Sequence, residues 1–596
     1  MTFPSRQIRL APIQMMQYFQ QRFPSLILQT RDVRLWVIAL FITITSFIPV
    51  VSQEIQDPVQ LVTEGVVFRE VGPAIMGGRI SDIAVNPDNP ANIFVGFATA
   101  GLWKTTSDGM AWEPKFDNQV TASIGAVSIA PSNSNIVWVG TGEPQNRQSS
   151  PYGFGVFKSV DGGDTWVSTG LSQTRHIGRI IVHPQDPDVV FVAAVGHLWG
   201  ANDERGVFKT TDGGDTWEKV LYIDEDTGAI DLVISPEDPN TLFAAMYQRR
   251  RTAFGFSASG SGSGIYRTYD GGESWQELNE GLPEGDKGRI GLDIYQGDGS
   301  LLYATVESVE GEGRGIYRTT DRGDTWEKVS ERNPRPMYFS MVRIDPNNPE
   351  RIYLGGVQLS ISDDGGKTWW EGDAAEGIHV DHHALWVNPE NSDHVILGSD
   401  GGLSTTRDGG QNWRMYDNMS VGQFYEIGFD MQHPYHVCGG LQDNSSWCAP
   451  NQTLNNYGVR NSDWEDVSGG DGFYNQVDPT NPNIVYTESQ GGNISRLDRS
   501  TGSATRIRPV ARSSEVDEER SYDFNWNAPI VVSEHDPNTV YIGANHLLRS
   551  RDQGMTWEEA SPDLTRLIDR DTFCLLYTSD AADEGLGVDL GGRRII

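Results

Sequence analysis

One eight-residue pattern, S/T-x-D-x-G-x-T-W, recurs along this chain of 596 residues and limits its fold more than any other feature. Clean copies share the Asp, the central Gly and the closing Trp, and they begin at Ser159, Thr210, Thr268, Thr319, Ser362, Thr406 and Ser550, with a degenerate copy at Thr105. Copies between 159 and 406 start about 43 to 58 residues apart, which is the length of one four-stranded blade. This period predicts a repeat protein in which each unit contributes one small sheet.

The pattern, called the box below, predicts a tight turn between two strands. Its Ser/Thr and Asp side chains can accept hydrogen bonds from backbone N–H groups inside the turn. Its central Gly can take a positive φ, and its Trp can bury a large flat surface at the start of the next strand. The box aspartates are therefore expected to be structural rather than catalytic, namely Asp161, Asp212, Asp270, Asp321, Asp364, Asp408 and Asp552.

A second pattern precedes each box: a β-rich run ends in a Pro/Asn/Asp turn, and an aromatic-rich run follows, as in residues 80–98 and 341–357. Alternating residues flanking turn residues predict paired strands. Each unit thus consists of strand A, a turn, strand B, a loop, strand C, the box and strand D. Ten units are predicted, with strand A starting near Ile80, Ile124, Ile177, Ile230, Ile290, Phe339, His382, Phe424, Phe473 and Asn527.

These units predict an all-β fold, a β-propeller of four-stranded blades. A single blade leaves two open edges and two faces, which radial packing of the blades covers. We expect units 1–7, within residues 60–420, to form a seven-bladed ring, and units 8–10, within 421–566, to form part of a second propeller. A single ten-bladed ring is the alternative, since ten units also fit that count.

The two ends of the chain are expected to lie outside the propeller. Residues 35–51, LWVIALFITITSFIPVV, form an apolar run after basic residues, so 1–52 are predicted to be a signal peptide with an extended n-region. The alternative is retention as a membrane anchor, because this run is near the lower length limit for a span. The protein is accordingly expected to be secreted, periplasmic or on the cell-envelope exterior. Residues 574–584, CLLYTSDAADE, look like translated adapter sequence, so 571–596 are expected to be a sequencing artefact.

Charge and cysteine content exclude some functions. The formal net charge is -35 and the acidic residues are spread along the chain, whereas a nucleic-acid-binding protein needs a basic face. Nucleic acid is therefore not an expected partner. Three cysteines are present, and Cys438 and Cys448 lie on predicted neighbouring strands, so a cross-strand disulfide between them is one of two outcomes left open.

The boxes and several longer segments resemble the BNR/Asp-box repeat superfamily, which includes sialidases, two-propeller xyloglucanases and the sortilin N-terminal domain. The likeness is greatest to bacterial secreted proteins described as sortilin-like or glycosyl-hydrolase-like, and it spans about residues 65–566. Such relatives imply fourteen blades in two rings. The resemblance is specific for the fold and says little about the reaction. It is carried by GGRISDIAVNP (77–87), VGTGEPQNRQSSPYG (139–153), VDHHALWVNP (380–389), GGLQDNSSW (439–447) and GGDGFYNQVDP (469–479).

Ligands of a propeller are expected at one loop face and at the mouth of the central channel. The residue at the start of each strand A should point toward that mouth, and polar groups beside aromatic residues suit a sugar or an extended peptide. The predicted ligand-binding residues are Arg79, Ser123, His176, Tyr338 and Asp381 from these starts, and Arg147, His197 and Trp199 from the B–C loops. The alternative is a solvated rim without a specific ligand.

Catalysis and metal binding have weaker support. Glycoside hydrolysis needs two carboxylates at a set separation, and the acids near predicted loop ends are Asp82, Glu143, Asp381, Asp400 and Asp471. Where the chain resembles xyloglucanases in unit 1, their catalytic Asp should fall near residues 98–99, and no carboxylate occurs there. His379, Asp381 and His383 would share one face of a strand and suit a metal ion, but no fourth ligand is identifiable, so no metal is predicted. No cofactor is expected.

The sequence favours a sortilin-like binding propeller that is exported and captures a peptide or glycan at the channel mouth and loop face. The alternative is a glycoside hydrolase of the Asp-box/xyloglucanase type that uses two carboxylates. Whether the protein is an enzyme is left open at this point. Contact with a membrane is expected only through an uncleaved N-terminal segment.

Overall fold

The computed structural model describes residues 69–147, 150–252, 255–309, 313–372, 378–512 and 519–566. The chain divides into two compact units, Met1–Arg69 and Glu70–Ile596, and all strands below belong to the second. The predicted signal peptide, Cys574 and the predicted artefact at 571–596 lie outside the described residues. No helix among the described residues is long and apolar enough to cross a bilayer.

The described residues form ten four-stranded sheets, each an antiparallel meander, numbered here as blades 1 to 10. The predicted all-β fold is therefore confirmed. In blades 1 to 4 the strands are β1 Ile80–Val85, β2 Ile93–Phe97, β3 Leu102–Thr105, β4 Glu113–Pro114; β5 Ile124–Ile129, β6 Val137–Thr141, β7 Val156–Ser159, β8 Val167–Gly170; β9 Ile177–Val182, β10 Val190–Ala194, β11 Gly206–Thr210, β12 Glu218–Leu221; and β13 Thr227–Ile234, β14 Leu242–Gln248, β17 Gly264–Thr268, β18 Gln276–Leu278. A separate hairpin, β15 Arg250–Thr252 with β16 Gly255–Ser257, is inserted in blade 4.

Blades 5 to 10 repeat the same order of strands. They are β19 Lys287–Ile294, β20 Leu302–Ser308, β21 Gly315–Thr319, β22 Glu327–Ser330; β23 Val342–Asp345, β24 Asn348–Leu354, β25 Ser360–Ser362, β26 Trp370–Glu371; β27 His382–Asn388, β28 Asn391–Ser399, β29 Gly402–Thr406, β30 Arg414–Met415; β31 Phe424–Phe429, β32 His436–Leu441, β33 Ser446–Pro450, β34 Glu465–Ser468; β35 Gly472–Val477, β36 Ile484–Ser489, β37 Asn493–Asp498, β38 Ser503–Arg506; and β41 Ile530–Val532, β42 Val540–Gly543, β43 Leu547–Ser550, β44 Glu558–Glu559. A hairpin of β39 Val510–Arg512 and β40 Glu519–Ser521 precedes blade 10, and a short 3-10 helix covers Asn461–Asp463.

The box forms the turn between the third and fourth strands of a blade, and blade 3 illustrates its hydrogen bonds. Thr210 Oγ1 accepts from Gly214 N at 3.0 Å, and Asp212 Oδ1 accepts from Thr216 N at 2.9 Å. The pKa of Asp212 is lowered to about 2 by the hydrogen bonds that its carboxylate accepts. The largest effect comes from the Thr216 hydroxyl, followed by the Thr216 N–H and the Thr210 hydroxyl. Trp217 Nε1 donates to Thr169 O of blade 2 at 2.7 Å, so the box also links neighbouring blades.

Blades 1 to 7 contact one another in a cycle. Their first strands, β1, β5, β9, β13, β19, β23 and β27, contact in that order, and β27 contacts β1. At the last boundary Ile80 and Phe97 of blade 1 pack in one core cluster with Ile396 and Leu403 of blade 7. The division into a seven-bladed ring and a second, partial propeller stays a prediction, which this cycle of contacts supports.

Basic side chains fasten five of the blades to the next one at the box end. A Lys or Arg of one blade donates to a backbone carbonyl inside the following box, as Lys104 Nζ to Gly162 O (2.6 Å), Lys158 Nζ to Gly213 O (3.1 Å), Lys209 Nζ to Gly271 O (2.7 Å), Arg267 Nη1 to Arg322 O (2.6 Å) and Arg351 Nη2 to Gly409 O (2.6 Å). From blade 7, the amide of Asn418 donates through Nδ2 to Gly109 O of blade 1 at 2.9 Å. Side-chain bonds to box carbonyls therefore join six of the seven neighbouring pairs in the cycle.

Blade 8 is attached to the segment that precedes blade 1. Trp464 Nε1 donates to Val71 O at 2.8 Å, and Asn461 Oδ1 accepts from Ala74 N at 3.1 Å. Leu441 and Trp447 of blade 8 pack in the same cluster as Val71. Blade 8 is thus held beside the first blade as well as following the seventh.

The hairpin of β32 and β33 in blade 8 carries a disulfide between Cys438 and Cys448. The two residues are directly paired across the strands and are fully buried. The sequence left open whether Cys438 and Cys448 form a disulfide, and the structure contains this disulfide.

Candidate functional site

Arg79, the residue immediately before β1, is the centre of a buried group of charges. It sits where the pairing of β1 with β2 slips by one residue, between Ile80 and Asp82. Such an irregularity redirects the side chains beside it. Arg79 Nε donates to Asp400 Oδ1 at 2.9 Å and Nη2 to Asp400 Oδ2 at 3.0 Å, which is a bidentate guanidinium–carboxylate pair between blades 1 and 7.

The same guanidinium binds two further carboxylates. Nη1 lies 3.2 Å from Glu143 Oε1 of blade 2, and Nη2 lies 2.7 Å from Asp443 Oδ2 of blade 8. We call Arg79, Glu143, Asp400 and Asp443 the Arg79 hub. Burial alone would lower the pKa of Arg79, but Asp400 and its other partners outweigh it and raise the pKa, so the cation is retained.

Asp400 has several side-chain partners. Besides Arg79, it lies 2.6 Å from His383 Nε2 and accepts a hydrogen bond from the Tyr338 hydroxyl at 3.0 Å. Burial would raise the pKa of Asp400, but Arg79 and His383 together lower it well below its usual value. Burial lowers the pKa of His383 despite its contact with Asp400. Asp400 is therefore ionised, inaccessible and fixed in place.

Asp381 lies beside the hub in a different environment. It has φ of 67° and its carbonyl accepts from Asp400 N at 3.1 Å. Burial first, and then the charge of Asp400, raise the pKa of Asp381 to about 7, although Arg335 Nη1 is 3.9 Å from Oδ1. Among the described residues, no donor makes a hydrogen bond to Oδ1. Two neighbouring carboxylates thus have pKa values shifted in opposite directions.

A loop of blade 8 covers the hub. Asp443 follows β32, has φ of 61°, and donates its N–H to Asp471 Oδ1 of blade 9. Its carbonyl lies 2.8 Å from His379 Nε2. Next to it, Asn444 Nδ2 donates to Asp400 O at 3.0 Å. The site therefore belongs to blades 1, 2, 7 and 8 together, not to the ring alone.

Three predicted ligand-binding residues contact Glu143, the blade 2 member of the hub. Ser123 Oγ accepts from Glu143 N at 3.1 Å, and His176 Nδ1 lies 2.8 Å from Glu143 O. Arg147 Nη1 lies 3.7 Å from Glu143 Oε1. Burial, followed by the charge of Arg249, lowers the pKa of His176 to about 3, so it is neutral.

A small cavity lies among residues of blades 1 to 7. It has a volume of about 40 Å³ and is lined in part by Asp82, Arg179 and Asp231, so it has room for groups of the size of water molecules. Arg179 Nε donates to Asp231 Oδ1 at 2.9 Å, and Asp82 Oδ2 accepts from Val127 N of blade 2 at 3.0 Å. The predicted catalytic candidate Asp82 is thus separated from the hub and joins blades 1 to 3.

The remaining predicted positions do not assemble a metal site. The strand begins at His382, so the expected common face of His379, Asp381 and His383 is wrong. The positive φ of Asp381 interrupts the alternation, and the two histidines turn to Asp443 and Asp400. Within the described ranges, no group of three His, Cys, Asp or Glu side chains could hold a metal ion. His197 and Trp199 lie on the B–C loop of blade 3, away from these contacts, and Trp199 is 59% exposed.

Sequence reasoning found Arg79, Tyr338, Asp381, Asp400, Glu143 and Asp471 but missed Asp443 and Arg335. Asp443 lies in the B–C loop of blade 8, between β32 and β33, and not at the box position between the third and fourth strands. Its segment LQDNSSW (441–447) has some residues of a box, and this likeness drew attention away from the loop that it forms. Arg335 lies in the loop before blade 6, where nothing in the sequence relates it to Asp381.

Comparison with known proteins supports the fold. The family model "Sortilin, neurotensin receptor 3" (Sortilin-Vps10) matches residues 155–292. A probable oligoxyloglucan-reducing end-specific xyloglucanase of Neosartorya fischeri is 26% identical over 251 residues, covering 39% of this chain and 27% of that protein. A xyloglucanase of a Paenibacillus species is 23% identical over 349 residues, covering 52% of this chain and 31% of that protein. The matches thus span about a third or less of these relatives.

Among solved structures, the GH74 xyloglucanase of Xanthomonas campestris superposes with a TM-score of 0.50 and 14% identity, covering 84% of this chain and 82% of that one. This likeness shows a propeller fold. Together the matches support the resemblance to the sortilin-like and xyloglucanase-type propeller superfamily.

Proposed function

We propose that this protein is a glycoside-hydrolase-like propeller that binds a xyloglucan-type polysaccharide beside the Arg79 hub and cleaves it with Asp381 as proton donor. One observation carries the proposal: Asp381 has a pKa of about 7 and an oxygen with no hydrogen-bond donor among the described residues, while the adjacent Asp400 has a strongly lowered pKa. A carboxyl group whose surroundings raise its pKa toward neutral pH can act as a general acid.

The chemistry needs one protonated and one ionised carboxyl group. Asp381 would give its proton to the glycosidic oxygen as the C–O bond breaks. Asp443, which pairs with Arg79, would stabilise the positive charge on the sugar or take a proton from the water that adds to the anomeric carbon. Asp400 cannot fill this role, because Arg79, His383 and Tyr338 occupy both of its oxygens. It would instead hold Arg79 and maintain the raised pKa of Asp381.

Arg335 would assist the substrate at the same place. Its guanidinium carbon lies 5.4 Å from the centre of the Tyr338 ring and 5.6 Å from that of Phe339. Its Nη1 and Nη2 atoms are buried without a hydrogen-bond acceptor among the described residues. A sugar hydroxyl could accept from these atoms while it contacts Asp381.

The earlier preference, capture of a peptide or glycan without cleavage, remains the second candidate. Its specific support is that Arg79, His383 and Tyr338 occupy both carboxylate oxygens of Asp400. These contacts make the hub rigid and leave Asp400, a predicted catalytic acid, unable to act on a substrate. Export also remains a proposal, and the Cys438–Cys448 disulfide supports an oxidising compartment.

The test is release of reducing ends from xyloglucan by the full chain. We expect Asp381→Asn to lower the rate by about 10²-fold or more, with binding of the polysaccharide retained. Asp430→Asn, at a buried Asp of blade 8 outside the hub, is the control and should stay active. Binding without any sugar release from the unmodified protein would favour the second candidate. Full activity of Asp381→Asn would remove Asp381 as the proton donor.

A further inference from the structure

The small cavity among blades 1 to 7 is rich in hydrogen-bond donors. Its volume is about 40 Å³, and its lining includes three arginine side chains, Arg179 of blade 3, Arg289 of blade 5 and Arg343 of blade 6. The carboxylates in the same lining are those of Asp82 in blade 1 and Asp231 in blade 4. A guanidinium group donates from every nitrogen and accepts no hydrogen bond, so the charged side chains of this lining offer donors in excess.

Both lining carboxylates already have donors from the protein. Asp231 Oδ1 accepts from Arg179 Nε at 2.9 Å, and its Oδ2 accepts from Leu292 N at 3.0 Å. Asp82 Oδ2 accepts from Val127 N at 3.0 Å, and its Oδ1 lies 3.6 Å from Arg179 Nη1. Burial alone would lower the pKa of Arg179, but Asp231 and Asp82 outweigh it and raise the pKa. Arg179 is therefore the cation that these two carboxylates share.

Arg289 is a buried cation whose hydrogen bonds go to neutral groups. It is 8% exposed, and its Nη1 donates to Met337 O at 3.3 Å and to Tyr338 O at 2.6 Å. Its Nε is buried and has no hydrogen-bond acceptor among the described residues. Burial lowers the pKa of Arg289, and the surrounding negative charges do not offset this effect. Because a buried charge without a paired counter-charge is costly, an anion beside this guanidinium would stabilise the protein.

Arg343 brings a further guanidinium group to the same cavity. Its Nη1 donates to the neutral carbonyl of Val342 at 2.7 Å. The charge of Arg343 also acts on Asp293, which accepts from Ile344 N at 2.6 Å. Burial raises the pKa of Asp293 to about 6, so this carboxyl group is mostly neutral in mildly acidic solution. In such solution the positive charge at the cavity exceeds the negative charge.

We infer that this cavity binds a monatomic anion of the halide class, held by N–H groups of Arg289 and Arg343. A space for water molecules also admits a monatomic ion, and N–H groups of charged donors form strong hydrogen bonds to anions. Since the lining comes from blades 1 to 7, the ion would join residues that lie far apart in the sequence and stabilise the packing of the blades. The inference does not depend on the proposed function.

The first experiment measures the melting temperature of the full chain in mildly acidic buffer. Sodium chloride and sodium bromide are compared with sodium gluconate, whose anion is too large for the cavity, at equal ionic strength so that screening is the same. We expect melting to occur about 2–4 °C higher in the halides, because a ligand that binds the folded state stabilises it. Arg289→Gln should abolish this difference.

Arg267→Gln is the matched control. Arg267 is 4% exposed, and its Nη1 donates to the carboxylate of Asp324 at 2.7 Å, near a box and away from the cavity lining. This variant should melt at a lower temperature in every salt and keep the difference between halide and gluconate. A halide effect that persists in Arg289→Gln, or that disappears equally in Arg267→Gln, overturns the assignment.

The second experiment locates the ion in crystals of the unmodified protein grown with sodium bromide. We expect an anomalous-scattering peak inside the cavity, beside the guanidinium groups of Arg289 and Arg343. This measurement decides the question even if Arg289→Gln does not fold. A cavity that holds water alone in the presence of bromide overturns the inference, as do equal melting temperatures of the unmodified protein in halide and gluconate.

Discussion

Arg79 and Asp400 are 321 positions apart in the sequence, yet two parallel hydrogen bonds of 2.9 and 3.0 Å join them inside the protein. The pair closes the contact between blades 1 and 7 at the hub. Because Arg79 also binds Glu143 and Asp443, one guanidinium group contacts three carboxylates.

Arg79→Ala should strongly destabilise the protein. It would leave three carboxylates close together and largely buried, and removal of one partner from a buried ion pair costs about 3–5 kcal/mol. Urea unfolding followed by fluorescence measures this loss. Arg407→Ala is the control, because Arg407 and Asp108 form an exposed pair whose loss should cost less than about 1 kcal/mol. Equal effects of the two substitutions would show that the hub contributes no more than a surface contact.

Asp381 should make stability depend on pH. Its pKa is about 7 in the folded state, whereas it is about 3.9 in an unfolded chain. The folded state therefore binds the proton more tightly, and this contribution is complete below about pH 4 and is lost as the pH rises to about 7. Asp381→Asn should reduce the slope of the stability profile between about pH 5 and about pH 8, measured by urea midpoints. The remaining slope belongs to three other carboxyl groups whose pKa values burial raises to about 6, 7 and 8, namely Asp293, Glu307 and Glu488. Asp212→Asn, at a box carboxylate with a lowered pKa, should leave the slope in that range unchanged. A slope in Asp381→Asn as steep as that of the unmodified protein would assign the titration to the other groups.

The same group should limit activity on xyloglucan at high pH. A proton donor must be protonated, so kcat/KM should fall as the pH rises through about 7. A pH–rate profile of reducing-end release measures this limb. Asp430→Asn should keep the limb in place. A profile that is flat to about pH 9 would exclude Asp381 as the titrating acid.

The disulfide should hold the blade 8 loop over the hub. Replacing Cys438 and Cys448 together by Ala removes a link across 10 residues, and loop entropy predicts a loss of about 2–3 kcal/mol. Amide exchange at Asp443 and Asn444 should quicken, because the hairpin that carries them loses its crosslink. Exchange in the blade 3 box, around Gly214, serves as the internal reference. Unchanged exchange at Asp443 would mean that its contacts with Arg79 and Asp471 suffice to hold the loop.

A box aspartate should matter more than its neighbour in the same turn. Asp212→Ala removes the acceptor of the Thr216 N–H and hydroxyl, and we expect the melting temperature to fall by about 2–4 °C. Asp215→Ala, three positions later and exposed, should shift it much less. Thermal unfolding by circular dichroism makes the comparison.

The sequence predicted the blades well because each blade is specified locally. The box, the turn between strands A and B, and alternating residues place strand starts such as Ile80, Ile124 and Ile177 at the observed positions. Local hydrogen bonds in the box follow from residue type alone. Which blades become neighbours at the closure of the cycle depends on long-range contacts such as that of Asn418 with Gly109. No local sequence pattern specifies such a contact.

The site was predicted only in part, for the same reason. Alignment of strand starts found Arg79, Tyr338 and Asp381, because equivalent positions of a propeller face its axis. It could not show that Ser123 and His176 turn to Glu143, since side-chain direction depends on the neighbouring blade. Asp443 was missed because it comes from blade 8, which lies outside the cycle of contacts among the first strands of blades 1 to 7.

The hydrogen bonds between Trp464 and Val71 and between Ala74 and Asn461 join a late part of the described chain to its early part. The segment that precedes blade 1 is bound by blade 8, which follows some 390 residues later in the sequence. A protease that cut the connection between blades 7 and 8 would therefore sever the chain without releasing its carboxyl-terminal part. During synthesis, the segment that precedes blade 1 cannot form these hydrogen bonds until blade 8 has been synthesised.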